Sequence, residues 1–212
     1  MDNLEKYSNG ICLIGEENLK IYIFSNKLTS NLITKEEEIF SKNLKERKKK
    51  EFIHSRYYVR YTISKIFKKS INTIPLNSPP GKPPILPKEF GFLSFSHCVD
   101  ALVVAWSKNK IGVDVERLDR KINPKLITKK IFTEKEMFFF SKIHKIEDKL
   151  SAFLEYWVIK ESLIKRERGS IFRNINNWEW DYNSSSALNL SNSQNQKVKK
   201  IIFHNWVIGI AN

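Results

Sequence analysis

What this chain of 212 residues lacks narrows it first. Its two cysteines, Cys12 and Cys98, are too few for a disulfide framework or a multi-cysteine zinc site, so a reducing, cytoplasmic setting is expected. With seven glycines it has neither a P-loop nor a dinucleotide-binding fingerprint. Six of its seven prolines fall between Pro75 and Pro87, which marks that stretch as an irregular connection and leaves the rest free for regular elements. No apolar run approaches the roughly 20 residues of a membrane helix. The first residues carry acids where a secretory signal needs a basic start, so neither a membrane role nor export is expected. At 41% hydrophobic and 12% aromatic residues, the composition is that of a globular protein with a real core.

Acids are also scarce relative to bases: 37 Lys and Arg stand against 23 Asp and Glu, a formal charge of +14. Such an excess points to a polyanionic partner. The densest patch is 42–69, where eleven basic residues meet only Glu46 and Glu51. The KERKKK run within it reads by itself first as a solvated helix face and only then as a binding patch. Arg56 and Arg60 differ, since they stand four apart among Phe52, Tyr57, Tyr58 and Tyr61 and share a helical side next to the core.

Periodicity predicts a strand over 20–24, helical stretches over 35–68, strands over 91–95, 101–106 and 111–116, helices over 124–141 and about 147–168, and strands at 178–180 and 199–211 around a polar loop. The order of elements is similar in the two halves. The expected fold is therefore α+β, with two pseudo-duplicated subdomains, 1–107 and 108–212. Each is expected to pack a small antiparallel sheet on a long helix, with the active site in the cleft between them.

Three segments carry candidate chemistry. In Gly112-Val113-Asp114-Val115-Glu116 the strand period puts both carboxylates on one face, a pattern that suits a hard cation such as Mg²⁺ or Mn²⁺ and equally describes a half-buried strand with a wet face. In Trp157-Val158-Ile159-Lys160-Glu161-Ser162-Leu163-Ile164-Lys165 the helical period lines up Trp157, Glu161 and Lys165, either as an intrahelical ion pair or as a third carboxylate with a phosphate-binding ammonium. Ser96 and His97 end a strand on opposite faces, which argues against a serine triad. With Lys82 they suit donors to phosphate oxygens.

Taken together, GKP at 81–83, FSH at 95–97, GVDVE at 112–116, FTEKE at 132–136 and WVIKES with Lys165 resemble the ordered motifs of 4'-phosphopantetheinyl transferases of the surfactin type. The resemblance covers about 40–173. It implies Mg²⁺-dependent transfer of phosphopantetheine from coenzyme A to a serine of an apo acyl, peptidyl or polyketide carrier protein, with release of adenosine 3',5'-bisphosphate. It further implies Asp114, Glu116 and Glu161 as Mg²⁺ ligands and Lys165 as a phosphate contact. Lys82, Ser96 and His97 match coenzyme A contacts, and Arg56 matches an arginine that reaches the 3'-phosphate. Cys98 stands where a serine is common. Glu161, or a metal-bound water beside it, is the expected base, with Lys165 and His97 neutralising charge on the phosphoryl oxygens. An acidic carrier, a monomer and no nucleic-acid partner complete the expectation. The Phe-rich segment 132–140 is a further candidate for carrier docking or for core. The alternative from another class, a basic nucleic-acid-binding module on 42–69, explains the charge and leaves the acid pair and the WVIKES stripe unexplained. A catalytically inactive carrier-binding scaffold is disfavoured by the complete set of carboxylates with Lys165.

Overall fold

The protein is described by a computed structural model covering residues 9–25, 32–79, 82–169 and 174–212. It divides into two compact units, Met1–Lys108 and Asn109–Asn212. Both are α+β, as the order of elements predicts, and each joins an antiparallel sheet to a long helix.

The N-terminal unit contains strands β1 (Ile11–Glu16) and β2 (Leu19–Ser25), helices α1 (Lys35–Lys42) and α2 (Glu46–Phe67), and strands β3 (Phe92–His97) and β4 (Ala101–Ser107). The sheet runs β1-β2-β4-β3, all neighbours antiparallel. Its core sets Tyr58, Val59 and Ile63 of α2 with Leu93, Leu102, Val104 and Trp106 of the sheet. Each fully covered aliphatic side chain there contributes about 1.5–3 kcal/mol. A capping box starts α1: the Thr34 side chain accepts from the Glu37 N–H, and Glu37 accepts from the Thr34 N–H. Glu37 also takes both Arg60 nitrogens, at 2.8 and 2.9 Å, and so ties α1 to α2. Strand β1 is absent from the expectation because Cys12, Gly15 and Glu16 break its alternation; pairing with β2 forms it regardless.

The C-terminal unit contains β5 (Gly112–Arg117), helices α3 (Lys125–Ile131), α4 (Glu134–Ser141) and α5 (Ile146–Glu167), and strands β6 (Trp178–Trp180), β7 (Ser186–Asn189), β8 (Asn195–Phe203) and β9 (Trp206–Ala211). The sheet order is β5-β9-β8-β7-β6, again antiparallel. Helix α5 lies on it, burying Phe153, Leu154, Val158, Ile159 and Leu163. The single helix expected over 124–141 is two. Helix α3 stops at Phe132, and Thr133 caps α4 through a capping box with Glu136, whose geometry turns the chain despite continuous apolar character. Strand β7 lies inside the stretch expected to be loop. Its Ser and Asn residues carry no strand signal, and the β8 edge recruits it. Of the Phe-rich segment, Phe132 and Phe140 are core, while Phe138 and Phe139 are exposed.

Candidate active site

Strand β5 forms an edge of its sheet with β9 as its neighbour, and Asp114 pairs with Gly209 while Gly112 pairs with Ala211. Directly opposed residues share a face, so Gly112, Asp114 and Glu116 face the same way as Gly209. Both glycines meet α5 backbone. A Cβ at Gly112 would overlap the Ser162 carbonyl oxygen, and one at Gly209 the Val158 carbonyl. Here glycine serves close approach rather than backbone conformation, and it lets the α5 axis settle against the strand that carries Asp114.

Helix α5 answers with Glu161 and, one turn on, Lys165. The Lys165 ammonium donates to Asp114 Oδ1 at 2.6 Å and lies 3.7 Å from Glu161 Oε2. From the turn beyond β5, Arg120 Nη1 binds Glu116 Oε1. Burial, then the charge of Asp114, pushes the Glu116 carboxyl up to about 7, although Arg120 and Lys165 oppose this. Burial and Asp114 likewise push Glu161 up to about 8, against the pull of Lys165 and Arg120. Burial disfavours the Lys165 charge, yet Asp114 and Glu161 outweigh it and hold the ammonium above its ordinary pKa. Three carboxylates thus feel one another across a strand and a helix, and the chain supplies two cations to them. Among the described residues no group of His, Cys, Asp or Glu stands already arranged around an ion. The donor set itself, oxygen-only and short of compensating charge, fits a hard divalent cation.

The neighbouring face of α5 is of another kind. Lys160 is fully buried and donates to Glu136 Oε2 at 2.6 Å and to the Ile131 carbonyl at 2.6 Å. Glu136, in turn, accepts from the backbone N–H groups of Thr133 and Trp180. The FTEKE glutamate and the WVIKES lysine are therefore partners, a pairing that spacing alone does not reveal. Trp157 packs on Phe153, with ring centroids 6.1 Å apart.

In the N-terminal unit, Ser96 is buried on β3, and the half-exposed His97 at its end stands 3.5 Å from Glu51 of α2. Glu51, Glu46, Arg47, Lys50 and Val99 line an open pocket of about 480 Å³. Lys82 is exposed, and Gly81 of the same motif lies outside the described residues. Arg56 is buried: Nη2 donates to the Ser78 carbonyl at 2.6 Å and Nη1 to Ser55 Oγ at 2.9 Å, and the guanidinium lies 4.2 Å from the Phe52 ring centroid. Burial lowers its pKa to about 10. The sequence expectation of a core-facing Arg56 is met, and its side chain is engaged within its own unit. Arg60 is equally buried on Glu37, while Arg47 and Lys50 pair with Glu51 and Glu46. Arg56 and Arg60 are thereby withdrawn from the surface, whereas Arg47 and Lys50 stay exposed.

The comparison with known families falls on the half of the chain that carries the carboxylates. Residues 110–211 match the family model of the 4'-phosphopantetheinyl transferase superfamily. No curated protein matches the chain. The transferase match runs from just before β5 through β9 and includes Asp114, Glu116, Glu136, Lys160, Glu161 and Lys165. The match covers the C-terminal unit, and the N-terminal unit lies outside it. Among the described residues no helix is long and apolar enough to cross a membrane.

Proposed function

We propose that the chain is a phosphopantetheinyl transferase of the surfactin type. In this reading it moves the 4'-phosphopantetheine group of coenzyme A onto a serine of an acidic apo carrier protein and releases adenosine 3',5'-bisphosphate. The observation that carries the reading is the convergence of Asp114, Glu116 and Glu161 beside Lys165, inside the stretch that matches the superfamily. The three carboxylates are the residues that would hold Mg²⁺ or Mn²⁺. When bound, such an ion supplies positive charge at the pyrophosphate, where negative charge builds as the phosphoanhydride breaks.

The chain's own residues do the rest. Lys165, held charged by Asp114 and Glu161, is the donor for a phosphoryl oxygen. His97, Ser96 and Lys82 are the proposed coenzyme A contacts of the N-terminal unit, and the pocket beside Glu51, with Arg47 and Lys50, offers further cationic groups to a polyanion. Arg56 is kept as the weakest of these contacts, because its nitrogens already serve Ser78 and Ser55. Glu161 is the proposed base for the carrier serine. Its carboxyl stands beside the Lys165 ammonium in the same cluster, within reach of a hydroxyl brought to the phosphoryl group. Attack of the serine oxygen on the β-phosphorus forms the new phosphodiester, breaks the bond to the bridging oxygen and leaves the electron pair on the departing bisphosphate.

The test monitors adenosine 3',5'-bisphosphate released from coenzyme A with Mg²⁺ and an apo carrier, compared with the same carrier already modified on its serine. Release with the apo form alone is the expected result; release with neither, from folded protein, contradicts the reading.

A further inference from the structure

The two cations that answer the carboxylates are not equivalent. Lys165 projects from the middle of the site, bonded to Asp114 and close to Glu161. Arg120 sits in the turn after β5, its N–H donating to the Arg117 carbonyl at 3.1 Å, and grips one carboxylate, Glu116, with its side chain 42% exposed. An ion pair with one partner this exposed is weak. A divalent cation shared by three carboxylates competes with it easily.

Charge balance gives Arg120 a second use. Asp114, Glu116 and Glu161, when ionised, exceed Lys165 and Arg120 by one negative charge, and a divalent cation turns that into an excess of one positive charge. A guanidinium released from Glu116 remains tethered at the site with its N–H donors unsatisfied. It is then suited to phosphate oxygens, which accept its fork in bidentate fashion.

Resting on the transferase reading above, we propose that Arg120 is the exchangeable counter-ion of this site: it holds Glu116 until a divalent cation takes the carboxylates, and then donates to the phosphate oxygens of the substrate. The two roles have opposite signatures, one competing with cation binding and the other assisting anion binding. A merely structural arginine shows neither.

The experiment measures Mn²⁺ binding to the full chain by the electron-spin signal of free Mn²⁺, then coenzyme A binding at saturating Mn²⁺, for wild type, Arg120→Gln and Arg120→Lys. Loss of the competing cation is expected to tighten Mn²⁺ binding about 2- to 5-fold in Arg120→Gln. Loss of the charged donor is expected to weaken coenzyme A about 5- to 10-fold at saturating Mn²⁺. Arg120→Lys should stay near wild type for Mn²⁺ and fall between the two for coenzyme A. Unchanged or weaker Mn²⁺ binding in Arg120→Gln, or unchanged coenzyme A affinity, overturns the role of Arg120 while leaving the transferase reading standing. A wild type that binds neither Mn²⁺ nor coenzyme A overturns both.

Discussion

Two adjacent faces of α5 bring lysine to carboxylate in opposite ways. On one, Lys160 and Glu136 are sealed from solvent and the pair is closed by the Ile131 carbonyl and the N–H groups of Thr133 and Trp180. On the other, Lys165 shares Asp114 and Glu161 with a third carboxylate nearby, and 27% of its side chain remains accessible. The first arrangement is complete in itself and holds α3, α4 and β6 to the helix. The second sets three carboxyls against two cations, an excess of one negative charge when all are ionised, and is the face proposed to carry the chemistry. Burial alone does not separate structural from reactive ion pairs; satisfaction of the partners does.

The contrast can be broken from either side. The largest effect is expected from Asp114→Asn, which removes the residue that Lys165 binds and one proposed cation ligand. Transfer to an apo carrier should fall about 1,000-fold, near 4 kcal/mol of barrier, while the thermal midpoint stays at or above wild type because crowding among the carboxylates is relieved. Next comes Lys160→Met, which strands Glu136 in the core and should cost about 3–5 kcal/mol in urea denaturation. The double variant Lys160→Met, Glu136→Met should recover only part of that loss, because the Trp180 N–H and the Ile131 carbonyl lose their side-chain partners. Gly209→Ala should cost about 1–3 kcal/mol, since the added methyl meets the Val158 carbonyl and lifts α5 from β9.

A separate effect is the pH dependence of stability in the metal-free protein. The folded-state pKa of Glu161 is raised from 4.5 to about 8, so the folded chain binds more protons than the unfolded one across that window. Its contribution is fully present below 4.5 and is lost as pH rises through 8. Thermal midpoints taken with chelator should therefore decline over this range more than those of Glu161→Gln.

Much of the site is legible in the sequence, because its signals are local. Period 2 places Asp114 with Glu116, and the i, i+4 spacing places Glu161 with Lys165. The partnership of Lys160 with Glu136 joins residues 24 positions apart, and no periodicity reports it. Its one local signal is a lysine set between Ile159 and Leu163 in an apolar run, which calls for a buried acid. Arg120 escapes for a related reason, since a loop residue has no period and only the folded turn brings it to Glu116. The α3–α4 break is encoded in Thr133-x-x-Glu136, a helix start masked by the hydrophobic residues around it. Short β7 has no such signal and owes its form to its neighbour.

The central claim is that the open face of α5, and not the sealed one, carries phosphopantetheine transfer. Intact-mass analysis of an apo acyl carrier protein tests it most directly, after incubation with coenzyme A, Mg²⁺ and either wild type, Asp114→Asn or the Lys160→Met, Glu136→Met double variant. The account predicts one phosphopantetheine increment with wild type and with the double variant, and none with Asp114→Asn over the same time. An increment that survives Asp114→Asn, or none from folded wild type on acyl, peptidyl or polyketide carriers, would contradict it.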